Sequence, residues 1–172
     1  IIIKNKKLVI GDYKVKCAIG KRGIGIKKKE GDLITPKGIF KIKYILYRND
    51  RIFDIKSKIN KFVIKKNMGW CDDPRSRKYN KLITFPFSYS AEKLHRLDNI
   101  YDIILILDYN FNPIIKNKGS AIFIHIAKKN YQKLGYSTED IEIHLLKFYT
   151  YPFYLTIMTV FSCVIMLNIK HN

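Results

Sequence analysis

The chain has 172 residues, enough for one domain that buries roughly two-thirds of its unfolded surface. Its 33 Lys and Arg against 14 Asp and Glu give a formal charge of +19, which makes a polyanionic neighbour worth considering. A nucleic-acid module should gather its basic residues on one face with stacking aromatics, whereas here they are spread along the whole sequence, and this reads as a solvated surface. Three cysteines, at positions 17, 71 and 163, form no CxxC pair, so neither a zinc site nor a disulfide framework is expected.

In chain order the periodicity is mostly that of strands. "KLVIGDYKVKCAIG" predicts two short strands around a turn at Gly11-Asp12. Gly31, Pro36 and Gly38 punctuate a loop, after which "IFKIKYIL" alternates as a half-buried strand does. "RIFDIKSKINKFVIKKN" fits a strand pair or irregular structure equally. "SAEKLHRL" predicts one or two helical turns capped by Ser90, with Glu92 and Arg96 pairing one turn apart on the surface.

"YDIILILDYN" is a continuous apolar run of the kind found in a central strand. "SAIFIHIA" is a further strand, with Ile122, Ile124 and Ile126 on one face and Phe123 and His125 on the other. "STEDIEIHLLKF" carries the strongest helix signals: Ser137 or Thr138 as cap, Glu139 and Asp140 in the first turn, and Ile141, Leu145 and Phe148 along one side. Residues 148–169 hold no charge, but Pro152 and several polar residues interrupt the run. A buried strand and an apolar tail are therefore expected there in preference to a membrane span. Together these signals predict one mainly-β domain over residues 1–160, sandwich-like or barrel-like with few short helices, and a tail over 161–172.

"EGDLITPKGIFKI", "MGWCDDPRSRKYNKLI", "SAEKLHRLDNIYDIILILDYNFNP" and "KGSAIFIHIA" resemble, in order and spacing, segments of the L,D-transpeptidase catalytic-domain family of the YkuD type, over roughly residues 8–160. The resemblance implies a β-sandwich-like transferase of peptidoglycan biosynthesis, and so of cell wall and cell shape. It works on stem peptides in the bacterial cell envelope, in the periplasm or on the outer face of the cytoplasmic membrane. A cysteine attacks a peptide carbonyl, and a histidine moves the proton. Such chemistry needs no metal or organic cofactor, and a monomer without nucleic acid and without a transmembrane span is expected.

His125, at the end of "GSAIFIHIA", matches the family base. A carbonyl or hydroxyl of Gly119 or Ser120 is the implied orienting group. The nucleophile should follow about a dozen residues later in a pattern like Thr-x-Gly-Cys, whose amides serve as oxyanion hole. Here the sequence departs from the pattern: the segment reads Leu134-Gly135-Tyr136 and runs straight into the capped helix, so the Gly135 and Tyr136 region stands where the cysteine belongs. A phenol with a pKa of about 10 is a poor substitute for a thiol.

Cys71 has two aspartates beside it that oppose a thiolate, and it reads as a small buried hydrophobe, as do Cys17 and Cys163. His95, His144 and His171 read as surface or terminal. Trp70, Asp72, Asp73 and Arg96 are candidates for the substrate cleft, with the two aspartates read first as a turn that fixes the local backbone. Two functions of different class follow: a transpeptidase-type enzyme, active or defective, and a non-catalytic basic module that binds peptidoglycan or another anionic polymer.

Overall fold

A computed structural model describes residues 2–4, 6–10 and 12–126. Along the chain these form β1 (Ile2–Lys4), β2 (Lys7–Ile10), β3 (Tyr13–Lys16), β4 (Ile24–Gly25), β5 (Thr35–Pro36) and β6 (Ile42–Tyr47). Then come β7 (Lys61–Val63), β8 (Met68–Cys71), β9 (Leu82–Thr84), β10 (Ala91–Lys93), β11 (Ile103–Leu107) and β12 (Phe123–His125). The described residues are mainly β, contain no helix and close no barrel. The expected helix over 137–148 and the apolar tail lie outside the described residues.

The domain is organised around a four-stranded sheet in the order β12-β11-β6-β7. Its central strand is β11, antiparallel to both β6 and β12, as the run "IILIL" leads one to expect. That run does not alternate because both faces of the sheet are covered. On one side Leu46, Ile104 and Ile106 pack with Ile64, Trp70, Leu94, Ile100 and Tyr101. On the other, Ile45, Ile103 and Leu105 pack with Ile42, Ile52, Ile55, Ile59 and Ile124. Phe123 joins the first cluster and Ile124 the second, so β12 presents its alternate residues to opposite faces as its sequence predicts. Of the ambiguous segment 51–67, only Lys61–Val63 becomes a strand, laid parallel along β6.

The predicted hairpin at Gly11-Asp12 is present, with Ile10 paired to Tyr13, and β1 adds a third strand to it. A second three-stranded sheet, in the order β10-β8-β9, carries the "MGWC" segment at its centre.

One expectation fails here. Residues 90–97 do not form a helix: Ala91, Glu92 and Lys93 pair with Cys71, Trp70 and Gly69 as an edge strand. A helix of one or two turns leaves most of its backbone groups unpartnered, whereas the β8 edge supplies a ladder. The side chains follow the strand solution, since Leu94 is fully buried while Leu97, which a helix would place on the same side, is 97% exposed. The expected Glu92–Arg96 pair fails with it, because a strand does not bring residues four apart together. Glu92 instead accepts a hydrogen bond from the Tyr101 hydroxyl at 2.6 Å, and Arg96 forms a bidentate pair with Asp98.

Candidate active site

His125 closes β12 directly opposite Ile104 of the central strand. The strand is delivered by a loop pinned at several points. Asn110 brackets the turn before it, donating to the carbonyls of Ile115 and Gly119 at 2.9 Å each and accepting from the Ile115 amide at 2.7 Å. Gly119, at φ +97°, adopts a backbone conformation that side-chain-bearing residues avoid, and its amide donates to the Tyr79 hydroxyl at 3.0 Å. The Tyr79 hydroxyl in turn donates to the Glu30 carboxylate. Burial and this carboxylate together push the phenol well above its ordinary pKa, so it stays protonated and can hold both contacts.

Asn80 ties the loop to the "MGWC" sheet. Its Oδ1 accepts from the Trp70 indole at 2.9 Å and from the Ala121 amide at 3.1 Å, and its Nδ2 donates to the Asn110 carbonyl at 2.8 Å. Asn80 has φ +54°, a left-handed conformation that Asn tolerates better than most residues. Trp70 then meets Phe123 of β12 edge to face, with ring centroids 5.0 Å apart. The two unusual sequence segments, "MGWC" and "GSAIFIHIA", are thus joined through one indole, one amide and one phenyl ring.

Around His125 itself, the Tyr101 ring stands perpendicular to the imidazole with centroids 5.1 Å apart. The Nδ1 atom lies 2.8 Å from the Ile126 carbonyl, so Nδ1 carries the proton and Nε2 keeps its lone pair. Among the described residues no hydrogen bond joins the imidazole to Gly119 or Ser120. The Gly119 carbonyl is taken by Asn110, and Ser120 is buried in the loop. His125 remains exposed along part of its surface, while the packed part loses hydration. That desolvation holds its pKa below the ordinary 6.5, against the smaller opposing effects of the Ile126 carbonyl and Glu92.

At neutral pH the ring is therefore neutral. Because the unfolded chain binds the proton more tightly, His125 subtracts nothing above pH 6.5 and costs stability as pH falls below that value. We expect the His125 ring resonances to titrate with a midpoint below 6.5 in the folded protein. Tyr101→Leu should move that midpoint upward by restoring hydration; a midpoint above 6.5 in the unmodified protein would contradict this environment.

Arg96 lies on the same ring, its guanidinium carbon 5.6 Å from the Tyr101 centroid. Its segment is held by two further arginines. Arg48, buried and paired with Asp50, donates to the Arg96 carbonyl at 2.7 Å, and Arg51 donates to the carbonyls of Leu97 and Asp98 and to Asp102.

The remaining sequence candidates are placed as follows. Trp70 is 2% exposed and sits in the core beneath the site, not on an open wall. Asp73 is buried and accepts from the Arg75 amide at 2.9 Å and from its guanidinium, the turn-fixing arrangement expected of it, and these bonds hold its carboxyl well below the usual range. Asp72 is half-buried, with Oδ1 shielded and without a hydrogen-bond partner among the described residues. His95 is half-buried in the loop after β10, while His144 and His171 lie outside the described residues. Cys71 is fully buried, with Sγ 3.9 Å from the Asp73 carbonyl oxygen. Among the described residues no hydrogen bond joins it to His125. Burial raises the Cys17 thiol pKa, in keeping with a packing role. Gly135, Tyr136 and Cys163 lie outside the described residues.

Tyr79, Asn80 and Tyr101 are the residues that the sequence reading passed over. An Asn in a turn was the sole local signal for Asn80, and nothing local points to partners 30 to 41 residues away. Among the described residues no group of three His, Cys, Asp or Glu converges on a metal position, and no helix is long and apolar enough to cross a membrane.

The pairing of a strand-end histidine with the "MGWC" sheet leads to the identification. The chain belongs to the L,D-transpeptidase catalytic domain family, YkuD, whose model matches residues 1–140. The match begins a few residues before the stretch that carries the sequence resemblance, so that it takes in β1 as well, and it ends at residue 140, shortly after Tyr136. Comparison with curated proteins and with solved structures gives no match. The family acts on peptidoglycan peptides, which gives the chain a cell-wall-associated setting.

Proposed function

We propose that this domain engages peptidoglycan stem peptides in the cell envelope but does not complete cysteine acyl transfer, because the base has no thiol to serve. The observation that supports the base is the imidazole of His125, neutral and with Nδ1 committed to the Ile126 carbonyl. The observation that supports the missing partner is residues 126–143, "IAKKNYQKLGYSTEDIEI", which contain no cysteine.

In the complete reaction the base takes a thiol proton and the thiolate adds to the peptide carbonyl. The base then returns the proton to the leaving amine, and a thioester remains for an amine or water to open. Here Nε2 of His125 can accept and return a proton, but the residue that stands where the family pattern has its cysteine is Tyr136, and a phenol, with an ordinary pKa of about 10, is a poor nucleophile at neutral pH. The chemistry would need no metal and no organic cofactor, and the domain is read as a monomer outside the cytoplasmic membrane.

The test is incubation of the protein with a stem tetrapeptide and an amine acceptor. By mass spectrometry no acceptor-linked or hydrolysed product should form, while the tetrapeptide should shift the His125 ring resonances saturably. Turnover would overturn the defect, and no shift at millimolar peptide would overturn the retained cleft.

A further inference from the structure

The N-terminal sheet sorts its side chains by face. Ile3 and Leu8 are paired across two strands, and Leu8 is 4% exposed, so that face is turned inward. The register places Lys4 opposite Lys7 and Lys7 opposite Lys16, a row of three lysines across three strands. The next row on the same face is Ile2, Val9 and Lys14. Lys7, Lys14 and Lys16 are exposed, and no ion pair engages them among the described residues. Like charges directly opposite one another destabilise a sheet, so nothing in the folding of this hairpin asks for such a row. Residues 1–29 contain ten Lys and Arg and one carboxylate, Asp12 in the hairpin turn. Four of these ten, Lys4, Lys7, Lys14 and Lys16, fall in paired strands and are brought to neighbouring register positions by the pairing.

We propose that this face binds a linear phosphodiester polymer of the cell wall and holds the domain against it. Adjacent strands lie about 5 Å apart and alternate residues along a strand about 7 Å apart, which sets the exposed Lys7, Lys14 and Lys16 at spacings suited to a flexible chain of repeated anions. A lysine ammonium is a point charge that accepts such a chain without demanding one geometry. The face carries no aromatic side chain on which bases could stack, and this separates the proposed occupant from single-stranded nucleic acid. The binding is independent of His125; the choice of a wall polymer rests on the family reading given above.

The experiment measures retention of the full chain on purified cell-wall sacculi before and after hydrofluoric-acid removal of their phosphodiester polymers. The comparison is with a Lys7→Gln, Lys14→Gln, Lys16→Gln triple variant and a control triple at the exposed Lys56, Lys58 and Lys66. Stripping the sacculi or changing the sheet triple should weaken retention roughly tenfold or more and flatten its salt dependence, while the control triple changes neither. The sheet variant should also melt no lower than the parent, because a repulsive row has been relieved. The proposal is overturned if stripped sacculi retain the protein equally, if the control triple loses as much as the sheet triple, if the sheet triple melts lower, or if single-stranded DNA displaces the protein more effectively than soluble polymer at equal phosphate. Stem-peptide binding to His125 is read separately, so failure of either reading leaves the other measurable.

Discussion

Asn80→Ala is expected to destabilise the domain by roughly 3–5 kcal/mol, more than most single changes to a polar residue. Two donors lose their acceptor at once, the Trp70 indole and the Ala121 amide, and each buried donor left unpaired costs about 1–3 kcal/mol. Alanine also has to hold φ +54°, which adds about 1–2 kcal/mol for an L-residue without a locally bonding side chain. Asn80→Gly separates the contributions, because glycine holds φ +54° without strain and loses only the side-chain hydrogen bonds. Urea melts of the two variants should therefore rank alanine below glycine, and both below the parent. A glycine variant as stable as the parent would mean that the amide bridge is incidental.

Trp70→Ala should cost roughly 3–5 kcal/mol as well, through the cavity left beneath β12. The indole is 2% exposed and packs edge to face against Phe123, so its loss removes apolar contacts that neighbouring side chains cannot refill without moving the strand that ends on His125. Trp70→Phe retains most of the volume and loses the bond to Asn80, and a smaller loss is expected. Because Trp70 and Asn80 share a hydrogen bond, the double variant should lose less than the sum of the two singles. Additive losses would show that the "MGWC" sheet and the His125 strand are held together elsewhere.

These two residues also mark how far the sequence could be read. The central strand was legible because "IILIL" has one explanation, a strand covered on both faces. The side-chain directions around His125 followed from simple alternation along "SAIFIHIA". The Gly11-Asp12 hairpin was legible for the same reason, since its turn residues and strand pattern are local. The segment 90–97 was not, because Ser90, Leu94 and Leu97 satisfy a helix pattern equally well and the deciding fact is the free edge of β8, some twenty residues upstream. Glu92 was read as the partner of Arg96 on that helix, whereas pairing with β8 turns it toward Tyr101. The lysine face was hidden for a related reason. Lys4, Lys7 and Lys16 are neighbours by register, not by spacing, and a charge pattern scanned along the chain cannot see across three strands.

For the candidate site, His125 was legible from the segment around it, and its supporting shell was not. The carbonyl that meets Nδ1 is that of the next residue, Ile126, and the ring packed on the imidazole comes from Tyr101, twenty-four residues earlier on a different segment. Both depend on how β12 lies against β11, which the amino-acid pattern alone does not specify.

The central claim is that His125 is a base without a thiol. Its most direct test is the intact mass of the folded protein before and after incubation with a carbapenem, alongside a His125→Ala variant. The account predicts no covalent adduct in either protein. A stoichiometric adduct that maps to one cysteine and disappears in the His125→Ala variant would contradict it, and would show that a thiol does reach the imidazole.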